Sequence, residues 1–241
     1  MNSAGCAAVY YPLFADLRGR RVVVVGGGRV AERKVEALLE AGARIVVVSP
    51  EVTETLARMA GEGRIQHVPR PFRPGDLDEA WLVVAATDDP AAQRLAYREA
   101  EARRVFCNTV DQPHLCSFIV PAVVRRGDLC LAVSTAGQSP ALARRLREDL
   151  ERAFGPAYGA YVGLVGALRR LLLERGLDAE GHPGVYRDLV APEVLSWVEA
   201  GRWERVARWA EALCGTGARE VVERLAAEHA GGPAAEGGRW H

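Results

Sequence analysis

RVVVVGGGRVAERK, residues 21–34, decides the fold. Residues 22–25 are an unbroken valine run, the pattern of a strand covered on both faces in a parallel sheet. Three glycines follow without a gap, and Val30-Ala31 then opens a charged, helix-favouring segment. The order is strand, tight turn, helix. Gly26, Gly28 and Ala31 fit G-x-G-x-x-G/A: the first glycine permits the turn, the second lets backbone approach a pyrophosphate, and the small third residue lets helix pack close to strand. Gly27, Arg29 and Val30 fill the intervening positions, so residues 26–31 are the expected cofactor cradle. The helix start adds free N–H groups and the positive end of the helix dipole. A glycine turn can also be purely structural; its place between strand and helix is what points to a nucleotide.

Outward from this core, YYPLF (residues 10–14) is an apolar lead-in expected to pack under the sheet. Downstream, the first helix is expected to run to about Glu40 and stop at Gly42, followed by a buried strand over Arg44–Val48. That strand ends at Ser49-Pro50, where a ribose-binding Asp or Glu is usual. Here Glu51 stands two residues late and no arginine follows, so this spacing does not separate NAD from NADP. A helix over 52–61 and strands over 65–68 and 81–86 come next. Thr87 and Asp88 then fall beyond a strand's carboxyl end, where ligands lie in such sheets, although Asp88 or Asp89 could equally cap the following helix. A helix over 91–102 and a strand over 105–107 lead to Asn108-Thr109-Val110-Asp111. This alternation predicts a parallel α/β sheet.

After Pro113 the pattern changes. Strand-like runs at 117–124 and 129–134 flank the hairpin connection RRGD, and Ser139-Pro140 opens a helix. From residue 158 the periodicity is helical, over 158–175, 185–199, 203–213 and 218–229, and a glycine-rich tail is expected to be disordered.

Composition sets the outer bounds. The 241 residues are 49% hydrophobic and 26% charged with a formal net charge of +0, which is ordinary for a soluble globular protein and offers no basic field for nucleic acid. No apolar run is long enough to cross a bilayer, and the N-terminus does not read as a signal peptide. Five scattered cysteines without C-x-x-C suggest buried thiols in a reducing cytoplasm rather than disulfides or a metal site.

Asp111 is the leading candidate for chemistry. A carboxylate one turn past a sheet strand could accept a proton as hydride leaves for a nicotinamide; it could also simply cap a turn. His114 close by could shuttle a proton or lie idle on the surface. Ser134, Thr135 and Gln138 lie in a polar loop suited to anions, in which Ser139 could instead be a helix cap. Arg125, Arg126, Arg144, Arg145 and Arg147 bias this segment toward a polyanion, unless solvent alone faces them. No Y-x-x-x-K, G-x-S-x-G, H-E-x-x-H or P-loop lysine motif is present, and no soft-ligand cluster marks a metal site.

The blocks YPLFADLRGRRVVVVGGGRVAERK, AATDDPAAQ and FCNTVDQPHLCSFIVPAVVRRGDLCLAVSTAGQSPALARRLRE closely resemble, in order, the siroheme synthase N-terminal family. Its members are precorrin-2 dehydrogenases, some of which are also sirohydrochlorin ferrochelatases. The resemblance spans roughly residues 10–155. It implies a Rossmann domain over 1–113, a dimerisation segment of α+β character over 114–155, a helical C-terminal domain over 156–230 and a tail over 231–241. It also implies a cytoplasmic homodimer that uses NAD to oxidise precorrin-2 to sirohydrochlorin, with Fe2+ insertion following in some members. Asp111 takes the place of the family's catalytic aspartate in CN-x-VD. The cofactor edge would comprise residues 26–31, Ser49, Pro50, Thr87, Asp88 and Asn108, and the tetrapyrrole would meet His114, Ser134, Thr135 and Gln138. Thr135 stands where some members carry a modifiable serine. No second α/β domain follows, so the expectation is a stand-alone form without the methyltransferase half. Two rivals stay open: a non-catalytic NAD(H)-sensing module, and a chelatase without dehydrogenase activity.

Overall fold

The computed structural model describes residues 9–231, in two compact units that part between Pro121 and Ala122. The first unit contains β1 (Arg21–Val25), α1 (Arg29–Glu40), β2 (Arg44–Val48), α2 (Glu54–Gly61), β3 (Gln66–Val68), β4 (Leu82–Ala85), α3 (Pro90–Arg103) and β5 (Phe106–Thr109). The five strands are all parallel in the order β3-β2-β1-β4-β5, a Rossmann arrangement whose order reverses between β1 and β4.

The valine run explains the layering. Val22 and Val24 point into a core with Ala31, Val35, Leu56 and Met59 of α1 and α2; Val23 and Val25 point into the opposite core with Ala96 and Ala100 of α3 and Leu77. All four are essentially fully buried, each worth about 1.5–3 kcal/mol over exposure. Because both faces are already covered, the lead-in does not pack under the sheet as expected: Tyr11 is 86% and Phe14 73% exposed.

The second unit begins with an antiparallel hairpin of β6 (Ala122–Arg126) and β7 (Leu129–Val133). Helices follow: α4 (Pro140–Ala153), α5 (Ala157–Glu174), α6 (Pro183–Asp188), α7 (Pro192–Glu199), α8 (Trp203–Cys214) and α9 (Ala218–Gly231). Leu164, Leu168 and Leu172 of α5 stack with Val194 and Val198 of α7, Val206 and Ala210 of α8 and Val222 of α9 into one core.

Two local expectations are corrected. The strand run expected over 117–124 begins only at Ala122, because Ser117 is bonded back to Cys107 and Pro121 has no N–H for a ladder. The single helix expected over 185–199 is two, α6 and α7. Pro192 disfavours helical backbone at Ala191, which is extended (φ −63°, ψ 125°). The expected tail lies outside the described residues except for Gly231, the last residue of α9, and Cys6 also lies outside them.

Candidate functional site

The carboxyl edge of the parallel sheet collects the ends of β1, β2, β4 and β5. Gly26 leaves β1 at φ +115°, donating its N–H to the Val48 carbonyl at 3.0 Å. A methyl group there would stand 2.2 Å from the Ala86 carbonyl oxygen, so the chain passes directly over the end of β4. A methyl at Gly27 would lie 2.0 Å from the Glu51 carbonyl oxygen. Gly28 differs: it is the exposed, extended N-cap of α1, and a methyl there meets nothing within 4 Å. Protein backbone therefore fills the space beside two glycines and leaves open space beside the third, at a helix N-terminus. That combination fits a pyrophosphate. Arg29 and Val30 begin α1, and Ala31 is fully buried against the sheet.

The flanking residues are largely occupied with holding this edge. Ser49 is buried, donates Oγ–H to the Glu51 carbonyl at 2.6 Å, and its own carbonyl meets His67 Nε2 at 2.9 Å; Pro50 beside it is exposed. Thr53 caps α2, donates N–H to the Gly27 carbonyl at 2.9 Å, and donates its hydroxyl to Glu32 at 2.5 Å, so α1, α2 and the glycine turn are tied together. Thr87 accepts the side-chain amide of buried Gln93 on its carbonyl at 2.7 Å. Of the two aspartates, Asp89 is the cap of α3, accepting the Ala91 N–H at 2.8 Å, and Asp88 stands exposed next to it.

At β5, Asn108 donates its amide to the Phe118 carbonyl at 3.1 Å, and Val110 packs into the α1-side core. Asp111 follows at the rim, exposed and in left-handed backbone, φ +58°. A non-glycine residue at positive φ is uncommon and concentrates at functional sites. Lys34, half-buried on α1, is the charge that feels it: burial lowers the Lys34 pKa, the Arg33 charge lowers it further, and the Asp111 carboxylate opposes both. His114 lies exposed in a 3-10 turn, Pro113–Leu115.

The second unit holds its own loop. Thr135 donates its hydroxyl to the Ser139 carbonyl at 3.0 Å and accepts the Ser139 N–H at 3.1 Å; the Gln138 N–H reaches the Thr135 carbonyl at 2.9 Å. Ser134 Oγ accepts the Ala136 N–H at 3.0 Å, and Ser139 caps α4 by accepting the Leu142 N–H at 3.2 Å. The arginines are mostly used locally. Arg126 donates to the Phe154 and Glu151 carbonyls at the end of α4, while Arg144, Arg145 and Arg147 pair one turn on with Glu148, Asp149 and Glu151. Sequence reasoning passed over Lys34, although it sits three residues after Ala31 in the glycine-turn helix, a visible signal.

A family model described as "Putative NAD(P)-binding" matches residues 13–122, and one described as "Sirohaem biosynthesis protein central" matches residues 126–153. Together the two matches take in the parallel sheet, β7 and α4. The chain is 43% identical over 192 residues to a "Siroheme synthase" of Methylobacillus flagellatus, covering 78% of this chain and 41% of that protein. A "Siroheme synthase" of Baumannia cicadellinicola subsp. Homalodisca coagulata is 37% identical over 195 residues, 81% of this chain and 42% of that protein. The chain thus spans about two fifths of the length of these curated relatives. Among solved structures, "SirC, precorrin-2 dehydrogenase" shares the fold, with a TM-score of 0.66 at 24% identity, over 90% of this chain and 98% of that one. The Rossmann sheet, hairpin and helical part expected from the family blocks are all present. No described helix is long and apolar enough to cross a membrane.

Proposed function

We propose that the chain oxidises precorrin-2 to sirohydrochlorin, with NAD+ as hydride acceptor and Asp111 as the base. The observation that carries this is Asp111 itself: a carboxylate held in left-handed backbone at the ligand edge of a Rossmann sheet, two strands from an open glycine turn. The names of the relatives, siroheme synthase and precorrin-2 dehydrogenase, support the substrate.

NAD+, when bound, supplies the two-electron acceptor and leaves as NADH. The chain's own groups do the rest. Gly28 and the first N–H groups of α1 hold the pyrophosphate, while Ser49, Pro50, Thr87, Asp88 and Asn108 border the cofactor edge. The substrate gives up a hydride and a proton, and Asp111 receives the proton and releases it to solvent. Lys34 places a positive charge near that carboxylate. We assign His114 and the Ser134, Thr135 and Gln138 loop to the carboxylates of the tetrapyrrole. Residues 114–155 serve as the dimer contact: α4 buries no residue within one chain and leaves Leu142 and Leu146 exposed, at 49% and 40%.

The test is an anaerobic assay of the purified protein with precorrin-2 and NAD+, following the tetrapyrrole spectrum with and without Fe2+. Conversion that stops at sirohydrochlorin makes the chain a dehydrogenase alone. Onward conversion faster than the iron-only background makes it a ferrochelatase as well. No NAD+-dependent change refutes the proposal and leaves a sensing module or a simple chelatase.

A further inference from the structure

The turn that carries Asp111 is built around a sulfur atom. Thr109, Val110, Asp111 and Gln112 form a β-turn closed by the Gln112 N–H on the Thr109 carbonyl at 3.3 Å, with Asp111 in the third position at φ +58°. A turn that needs positive φ at that position normally takes glycine or asparagine there. Aspartate reaches it at a conformational cost, so neighbouring contacts must hold the turn in place.

Cys116 supplies those contacts. Its Sγ accepts the Thr109 N–H at 3.2 Å, and its own proton is shared between the Thr109 and Gln112 carbonyls, each at 3.3 Å. The Asn108 amide adds a weaker contact at 3.7 Å. Burial pushes the Cys116 thiol upward in pKa, which keeps the proton on sulfur near neutral pH and leaves it both donor and acceptor. The loop is closed behind it by Ser117, whose N–H donates to the Cys107 carbonyl and whose Oγ accepts the Cys107 N–H, both at 2.8 Å, and by the Leu115 N–H on the Gln112 carbonyl at 2.9 Å. The sulfur therefore sits inside a closed loop and Asp111 stands on its rim.

We propose that Cys116 is a positioning residue: by bridging Thr109 and Gln112, its thiol holds Asp111 in left-handed backbone and so fixes where the carboxylate stands. This rests on the assignment of Asp111 as the base. Alanine at 116 removes both donor and acceptor and leaves the Thr109 N–H without that partner in a residue 2% exposed. Serine keeps both functions on a shorter arm.

The experiment compares Cys116→Ala and Cys116→Ser, each with Asp111 intact and as Asp111→Asn, in the anaerobic assay. Cys116→Ala is expected to lower kcat about tenfold with the KM for NAD+ within about twofold, since small misplacements of a reacting group are costly to rate. Cys116→Ser recovers most of the rate. In the Asp111→Asn background Cys116→Ala costs nothing further. A loss of the same factor with and without the Asp111 carboxylate overturns the proposal, because a merely structural cysteine acts that way. Thermal unfolding gives a readout independent of turnover. Asp111→Gly, which relieves the left-handed backbone, is expected to raise Tm by about 2–4 °C with the native thiol and by clearly less with Cys116→Ala. Equal gains in both overturn the proposal. If the native protein shows no turnover of precorrin-2, the dehydrogenase assignment falls and the unfolding cycle alone decides the role of Cys116.

Discussion

Replacing Gly26 and Gly28 by alanine, one at a time, separates the folding role of the glycine turn from its binding role. At Gly26 the added methyl meets two obstacles: a backbone angle of φ +115° and the Ala86 carbonyl oxygen at 2.2 Å. Backbone strain of this kind costs about 1–3 kcal/mol, and overpacking against a rigid neighbour about 1–3 kcal/mol more. At about 2–4 °C per kcal/mol, Gly26→Ala is expected to lower Tm by roughly 5–20 °C. At Gly28 the backbone is extended, at φ −80°, and the methyl meets nothing within 4 Å. Only the weaker capping ability of alanine counts, so stability changes by about 1 kcal/mol or less. The methyl does, however, occupy the open side of the turn, where the pyrophosphate is proposed to lie. NAD+ affinity of Gly28→Ala is therefore expected to fall at least tenfold, or about 1.4 kcal/mol. Differential scanning calorimetry reads the first effect and isothermal titration with NAD+ the second. Native-like NAD+ binding by Gly28→Ala removes the pyrophosphate from this turn, and a native-like Tm for Gly26→Ala refutes the packing account.

Asp111→Asn is expected to bind NAD+ like the native protein while turning over precorrin-2 about 100- to 10,000-fold more slowly, read by stopped-time anaerobic assay; unchanged turnover removes Asp111 from the chemistry. Asp89→Ala removes the cap of α3 and is expected to cost about 1 kcal/mol, or about 2–4 °C in Tm, with NAD+ affinity unchanged. Lys34 carries a pH signature. Its folded pKa lies below the ordinary 10.5, chiefly through burial, so between those two values the unfolded chain binds more protons than the folded one. Native stability should rise with pH across that window, and Lys34→Met, which removes the titration, should be the more stable protein below it. Urea titrations of both proteins at several pH values test this, and parallel pH profiles would contradict it.

The valine run, the glycine turn and the strand–helix alternation are local in character, set by side-chain periodicity and by what a tight turn permits. The Rossmann sheet was therefore legible from residues 21–34 outward, and the family blocks extended that reading through the hairpin and α4. The acidic partners of Arg144, Arg145 and Arg147 also stand one helical turn away in the sequence, a signal that the reading of these arginines as a bias toward a polyanion passed over. The signal for the break at Pro192 also stood in the sequence, but the reading of 185–199 as one helix missed it. Other features depend on residues far apart in sequence or on loop conformations that no periodicity encodes. Only the tertiary structure set Gly26 against Ala86, tied Thr53 to Glu32, and chose Asp89 over Asp88 as the cap of α3. It also left the YYPLF lead-in exposed, because helices and loops from later in the chain already cover both faces of the sheet. The sequence determined that an aspartate follows β5. The left-handed backbone that presents it depends on how the loop over 107–117 closes around the sulfur of Cys116, which only the folded chain decides.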